Sequence, residues 1–232
     1  MKSPKVKRPI LLTRIVAVNW YGFNQVIEVE GNVVITGEYG TGKSVLLDLM
    51  QRVLLGSATR YNRAATGDAS SRKLKGYCLC DTNTGTDAGE DFARSQAVTF
   101  IALEFTWPDG IKRQTWGQRI EYASATSRPS ILYFCWPDRL DLEAVCNEQG
   151  DFLDEGQFRA WLRREGADSW DREASYLDNL GVPSNLNFEW PLLRQTLPEA
   201  LAFQVIRRFD DFIRSRLLPA TPLQIDEVRR SL

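Results

Sequence analysis

The chain has 232 residues, 43% hydrophobic and 25% charged, which suits one large globular domain or two small ones. Its formal net charge of −1 excludes a uniformly basic nucleic-acid coat, although a local basic patch stays compatible with it. The absence of histidine excludes every mechanism that depends on a histidine base, a histidine metal ligand or a Ser-His-Asp triad.

The cysteines and the apolar runs indicate which metal sites and which cellular location the sequence is compatible with. Of its four cysteines only Cys78 and Cys80 are close in sequence, whereas a structural zinc site usually needs four ligands with C-x-x-C spacing. We therefore expect buried, reduced thiols and no zinc. The amino terminus is positively charged without a secretory apolar region, and no apolar run approaches the roughly 20 residues that span a bilayer. The expected location is the cytoplasm.

Residues 10–56 predict a β-β-β-α unit. Runs rich in β-branched residues at 11–19 and 25–30 predict two strands. Residues 32–36, Asn-Val-Val-Ile-Thr, predict a third strand of the kind that is buried on both faces. From Lys43 onward apolar residues recur at helical spacing, and Gly56 is expected to follow the end of that helix.

Residues 57–136 predict a loop region followed by a sheet. Residues 57–95 are polar and partly basic, with one short ordered piece expected near 74–79. Alternating apolar residues in 96–136 predict antiparallel strands, the first two joined by the turn Pro108-Asp109-Gly110. These strands are expected at 97–107, 112–122 and 130–136.

Residues 140–232 predict a helical part that leads toward a coiled coil. A short amphipathic helix is expected at 157–164. A longer helix is expected to begin at the capping box Thr196-Leu197-Pro198-Glu199 and to reach Leu217. We interpret the whole chain, residues 1–232, as a single domain.

A phosphate-binding loop joins the third predicted strand to the first helix. Gly37-Glu38-Tyr39-Gly40-Thr41-Gly42-Lys43-Ser44 matches G-x-x-x-x-G-K-[ST] at each fixed position. The glycines let backbone N–H groups turn toward phosphate, Lys43 suits the β- and γ-phosphates, and the Ser44 hydroxyl suits Mg²⁺. The following helix adds N–H groups and the positive end of its dipole. The predicted nucleotide-binding residues are Gly37, Glu38, Tyr39, Gly40, Thr41, Gly42, Lys43, Ser44 and Val45, with Ser44 as the magnesium ligand.

The nucleotide is expected to be ATP, because the guanine-reading N/T-K-x-D tetrapeptide of GTPases is absent. Trp20, Tyr21 and Phe23 lie upstream of the loop and could stack on adenine. Core or edge aromatic residues of a sheet are the favoured interpretation of these three side chains.

Hydrolysis would need a Walker B carboxylate after an apolar run, and two acids follow such runs in this sequence. Asp138 follows Pro137 and has no second acid behind it, so we interpret it as a turn residue. Glu104 follows residues 100–103 but sits in the middle of a predicted strand, where a solvated strand face is expected. No Ser-Gly-Gly signature occurs in the chain. No catalytic residue is therefore identified.

Several stretches together resemble the amino-terminal head segment of SMC-like ATPases. They are RIVAVNWYGF at 14–23, VVITGEYGTGKS at 33–44, LLDLMQ at 46–51 and LLG at 54–56. The closest group is the condensin-like JetC subunit of Wadjet anti-plasmid systems, with MukB-type and SbcC-type ATPases further away. Stretches in 60–77 and 209–229 also resemble that group, so the resemblance spans most of the chain and is most specific in 14–77.

The resemblance implies an α/β fold, the amino-terminal lobe of an ABC/SMC-type P-loop NTPase head with a mixed sheet and an antiparallel part. In that family the amino-terminal lobe carries Walker A, and a carboxy-terminal lobe carries the signature and Walker B. It implies ATPase activity only with the second lobe, dimerisation with a second head, action on DNA with condensin-like accessory subunits, a role in plasmid defence and no membrane partner. Tyr39 and Val45 depart from the family pattern, and Gln204 and Gln224 are both candidates for the Q-loop glutamine.

A local excess of basic residues lies between positions 57 and 80. In the resembling family this region contacts DNA or the nucleotide, and a solvated surface loop is the alternative. The candidate contact residues are Arg60, Arg63, Arg72, Lys73 and Lys75, against the single acid Asp68.

Two other functions stay open at this stage. A self-contained P-loop enzyme, such as a small-molecule kinase, would need a lid with arginines and an acceptor pocket, and neither is identifiable. A nucleotide-binding module that does not hydrolyse its ligand would need only the loop.

Overall fold

The computed structural model describes residues 9–31, 33–38, 40–61, 73–82 and 91–201, the side chains of 199–201 excepted. Its strands form one six-stranded sheet in the order β2-β1-β3-β4-β5-β6, and each neighbouring pair is antiparallel. The strands are β1 Leu11–Trp20, β2 Phe23–Glu28, β3 Ala97–Thr106, β4 Arg113–Tyr122, β5 Ser130–Trp136 and β6 Asp168–Trp170.

Among the described residues, five α-helices accompany this sheet, with short 3₁₀ turns at Gly56–Ala58 and Glu143–Val145. The helices are α1 Lys43–Leu55, α2 Leu74–Leu79, α3 Glu155–Arg164, α4 Glu173–Gly181 and α5 Trp190–Leu201. Helices and sheet together fit the predicted α/β class. Within the described part of the chain, no helix combines the length and the apolarity that crossing a bilayer requires.

The two faces of the sheet bury two separate apolar cores, because successive side chains of a strand point to opposite faces. In β1, Ile15 and Ala17 join the larger core, to which α1, α2 and α4 contribute. Val16 and Val18 join the smaller core, which α3 covers with Phe158 and Leu162. The larger core therefore lies on the face of the sheet that carries the phosphate-binding loop and its helix.

The antiparallel strands predicted within 96–136 and the predicted first helix are confirmed. Helix α2 spans the residues where a short ordered piece was expected. The turn between β3 and β4 also forms as predicted. The Asp109 carboxylate accepts the backbone N–H groups of Ile111 at 2.9 Å and Lys112 at 3.1 Å. Gly110 adopts the left-handed conformation that the turn requires.

The third predicted strand is wrong for the described residues 33–36, which form no strand. Val33, Val34 and Ile35 are 54%, 82% and 39% exposed. A strand buried on both faces needs hydrogen-bonded neighbours and cover on each side. Among the described strands each pairing is antiparallel and none involves 33–36, so the parallel part of the expected mixed sheet is not formed.

Helix boundaries differ from the predictions in the carboxy-terminal third. Helix α3 begins two residues early, because the Asp154 side chain accepts the Gln157 N–H in a true capping box. The predicted capping box at 196–199 is wrong, since α5 starts at Trp190 and the Thr196 hydroxyl donates to the Leu192 carbonyl inside the helix, at 2.9 Å. The predicted continuation of this helix to Leu217 lies outside the described residues, and α4 and β6 were not anticipated.

Candidate nucleotide-binding site

The phosphate-binding loop sits at the exposed amino-terminal end of α1. This helix packs on the sheet through Val45, Leu49 and Val53, whose four-residue spacing places them on one buried face. The Trp20 indole N–H donates to the Val45 carbonyl at 3.0 Å and so ties the first turn of α1 to the end of β1. The packing directs the start of the helix, and the loop before it, toward solvent.

The loop conformation depends on Gly42, the residue that precedes α1. Its φ of 89° lies in the left-handed region, which residues with a side chain rarely adopt. Its α-carbon also lies against the ring of Phe23, because a Cβ at this position would come within 2.5 Å of two ring atoms. Backbone conformation and close approach therefore both require glycine at the point where the loop enters the helix.

The Lys43 ammonium closes the loop on itself. Its Nζ donates to the carbonyls of Gly37 at 2.8 Å and Glu38 at 2.6 Å. The Thr41 hydroxyl donates to the same Glu38 carbonyl at 2.8 Å. A phosphate bound in the loop would offer this ammonium charged acceptors, which form stronger hydrogen bonds than neutral carbonyls.

The start of α1 is electrostatically suited to an anion. No acidic residue occurs in its first turn, and Lys43 and Ser44 are its first two residues. The backbone N–H groups and the dipole of a helix amino terminus both favour negative charge. The residues present therefore fit Mg-ATP: Lys43 and the loop backbone would hold the phosphates, and the Ser44 hydroxyl would hold the metal.

The described loop residues lie together before and at the start of α1, and their contact with nucleotide stays a prediction. Tyr39 lies outside the described part of the chain. The core interpretation of Trp20 is confirmed, because this side chain is fully buried and stacks on Tyr77 with ring centroids 4.6 Å apart. Phe23 packs against the loop at Gly42, and Tyr21 is half-buried.

The basic segment is only partly described, since Arg63 and Arg72 lie outside the described residues. Lys73 precedes α2, and the Lys75 ammonium lies 4.7 Å from the centroid of the Phe92 ring. Arg60 follows the 3₁₀ turn that ends α1. The prediction that these cations contact DNA or nucleotide stays a prediction.

The helix that carries part of this segment, α2, is attached to the P-loop helix. The Tyr77 hydroxyl donates to the Asp48 carboxylate of α1. The backbone N–H of Tyr21 donates to the Tyr77 carbonyl at 2.7 Å. Lys75 on α2, and Lys73 just before it, therefore belong to an element that is bonded to the helix that begins at the phosphate-binding loop.

The two acids that follow apolar runs, Asp138 and Glu104, both have structural roles. Asp138 lies in a bend after β5, and its side chain accepts the Arg139 N–H at 2.8 Å, which confirms the turn interpretation. The expectation for Glu104 is wrong, because it is 2% exposed. Register places it beside Arg14 on β1, and the Thr13 hydroxyl donates to its carboxylate at 3.1 Å. A buried cross-strand partner of opposite charge explains its position.

Sequence reasoning missed a stripe of buried polar residues on α1. Asp48, Gln51 and Arg52 are 2%, 3% and 4% exposed, although the apolar spacing of the helix gave no reason to expect polar groups in the core. The available signal was their own spacing, which puts the three on one side of the helix. Gln51 donates to Asp48 within the helix at 3.4 Å, whereas Gln118 reaches Arg52 from a distant part of the chain.

Residues 12–68 match the family model described as the P-loop containing region of AAA domain. The match includes β1, β2, the phosphate-binding loop and α1. No curated protein sequence matches the chain. The chain therefore carries a P-loop nucleotide-binding region, which supports the binding of ATP.

Proposed function

We propose that this chain is the ATP-binding half of an SMC-like ATPase head that acts on DNA in a condensin-like complex. The observation that carries the proposal is the P-loop region at 12–68, with its loop built as a phosphate cradle at the start of α1. The resemblance of residues 14–77 to condensin-like JetC subunits supplies the finer assignment, including a role in plasmid defence.

In this proposal the chain binds and orients the nucleotide. Lys43 leaves its carbonyl acceptors in the loop and neutralises the β- and γ-phosphates, and the N–H groups at the start of α1 hold the remaining oxygens. The Ser44 hydroxyl would hold Mg²⁺, which would neutralise phosphate charge. A Walker B carboxylate and a signature motif come from a second lobe, so hydrolysis requires that lobe and a second head.

The exposed stretch before the loop supports a partner lobe. Val33, Val34 and Ile35 are consecutive apolar residues, so both faces of this stretch would need cover, yet they are exposed. Beside them lies a cavity of about 440 Å³ between β2, this stretch and α1. Its lining includes Ile15, Ile27, Val29, Leu46 and Met50. We propose that strands of the carboxy-terminal lobe pair with 33–36 and fill this cavity.

Turnover distinguishes this proposal from the two alternatives. A self-contained P-loop enzyme would transfer or release the γ-phosphate by itself. A non-hydrolysing module would bind ATP without turnover, whether or not another protein is present. The proposed half-head binds ATP alone and hydrolyses it only when the carboxy-terminal lobe is supplied.

The testing experiment is calorimetric titration of the chain with MgATP, beside Lys43→Ala and the control Arg164→Ala. Arg164 is an exposed cation on α3, and its side chain pairs with the adjacent Glu165. Hydrogen bonds to charged groups are worth about 1.5–3 kcal/mol each, so losing two phosphate contacts should weaken binding at least about 100-fold. The control should bind like the wild type, and both variants should keep its melting temperature. A wild type that binds no MgATP, or equal binding by Lys43→Ala, would overturn the proposal.

A further inference from the structure

The carboxy-terminal end of α1 meets a carboxylate from a distant part of the chain. Glu173, the first residue of α4, accepts the Ser57 backbone N–H at 2.9 Å through Oε2 and the Ser57 hydroxyl at 2.5 Å through Oε1. The carboxylate lies directly against Gly56, where a Cβ would come within 2.4 Å of the Glu173 Cδ. A side chain at Gly56 would therefore force this carboxylate to move.

Behind this contact, a polar cluster joins α1 to the sheet. The Arg52 Nε donates to the Gln118 side-chain oxygen at 2.9 Å, and the Gln118 side-chain nitrogen donates back to the Arg52 carbonyl at 2.9 Å. The Tyr133 hydroxyl donates to Glu173 Oε2 at 3.0 Å, and an Arg52 guanidinium nitrogen lies 4.0 Å from the same oxygen. Glu173 is thus the acceptor at which α1, β5 and α4 meet.

A second residue of α4 binds the same end of α1. Tyr176, one turn after Glu173, donates its hydroxyl to the Val53 carbonyl at 2.9 Å. Val53 lies in the last turn of α1, where carbonyls have no partner within the helix. Burial raises the pKa of Tyr176 well above its usual value, so the hydroxyl keeps its proton and remains a donor. Helix α4 therefore holds the end of α1 from two positions.

At the opposite end of α1, the Trp20 indole N–H donates to the Val45 carbonyl and the Phe23 ring lies against Gly42, but the loop itself lies in solvent. Gly37, Glu38, Gly40 and Thr41 are exposed, and the hydrogen bonds of Lys43 go to its own loop. A helix transmits a displacement of one end to the other, and α1 is roughly 20 Å long for its 13 residues. The placement of Lys43 and Ser44 consequently depends on how the far end of the helix is held as well as on the contacts of its first turn.

We propose that Glu173 is a positioning residue for the nucleotide site, acting through α1 on Lys43 and Ser44. The inference rests on the proposed binding of MgATP by the loop. Its negative charge matters as well as its shape, because Arg52 is 4% exposed and its charge is compensated there by Glu173. A neutral side chain of the same size would remove this compensation from Arg52, and the end of α1 would move in response.

The test compares Glu173→Gln with Asp178→Asn, an exposed acid on the same helix. The first readout is MgATP affinity by calorimetry, and Glu173→Gln should weaken it by about fivefold or more. The second readout is the Trp20 indole N–H resonance, recorded without nucleotide and assigned among the seven tryptophans with Trp20→Phe. This N–H donates to Val45 in the first turn of α1, so Glu173→Gln should shift the resonance and Asp178→Asn should not.

Loss of stability alone would move neither readout in the folded molecules. If Glu173→Gln lowers the melting temperature but keeps the affinity and the Trp20 resonance of the wild type, the inference is overturned. If the wild type itself binds no MgATP, the proposed function fails and the inference with it. Should Glu173→Gln not fold, Ser57→Ala removes only the hydroxyl contact and should produce both effects at smaller size. Unchanged readouts in that variant would also overturn the inference.

Discussion

Replacing Gly42 by alanine tests how the loop is built, because two separate costs meet at this residue. Its φ of 89° strains any residue with a Cβ, and the added Cβ would lie 2.5 Å from two atoms of the Phe23 ring. Gly40 supplies the matched control. It has a similar φ of 84°, but a Cβ there would meet no atom within 4 Å.

The magnitudes follow from this difference. Left-handed backbone costs a residue with a side chain about 1–2 kcal/mol, which both variants share. Overpacking against a neighbour costs a further 1–3 kcal/mol or so, which only Gly42→Ala incurs. Gly42→Ala should therefore lower the free energy of unfolding by about 2–5 kcal/mol, and Gly40→Ala by no more than about 2 kcal/mol.

Urea denaturation measures these changes in the free energy of unfolding. The variants are Gly40→Ala, Gly42→Ala, Phe23→Ala and the double variant Gly42→Ala/Phe23→Ala. Removing the ring should recover the overpacking part, which gives a coupling free energy of about 1–3 kcal/mol between positions 23 and 42. Equal destabilisation by Gly40→Ala and Gly42→Ala, or strict additivity in the cycle, would refute the close packing of Phe23 on the loop.

Two further predictions concern charged groups. Hydrogen bonds from Ser130 first, and then from Arg159, lower the pKa of Glu155, so this group adds stability above the unfolded pKa of about 4.3 and loses it as pH falls through the folded value. Ser130→Ala should raise the pKa of Glu155 in a carboxyl NMR titration, and an unchanged value would contradict the assignment. If the basic segment binds DNA through four phosphate contacts, log K should fall with log salt at a slope of about −3.6. Lys73→Ala should then reduce the slope by about 0.9, whereas a flat salt response would exclude such binding.

The sequence alone determined the elements whose signals are local. The phosphate-binding loop is readable because its glycines, Lys43 and Ser44 have fixed spacing. Helix α1 and the β3–β4 hairpin are readable because apolar periodicity and a Pro-Asp-Gly turn lie within one short stretch. These signals depend on the backbone of neighbouring residues, so no knowledge of the rest of the fold was needed.

Tertiary structure decided the features that depend on distant partners. Residues 33–36 have the composition of a buried strand, but a strand forms only beside another, and none of the described strands pairs with them. Glu104 was expected in solvent and is buried, because register places it beside Arg14, 90 positions earlier in the numbering (104 − 14).

The contact between Glu173 and Ser57 joins residues 116 positions apart, and each looks like an ordinary surface residue in its local stretch. Its role at the end of α1 follows from the chain path that brings α4 back to the P-loop helix. The sequence therefore predicted which residues hold phosphate, and only the packing of the whole sheet decided what keeps those residues in place.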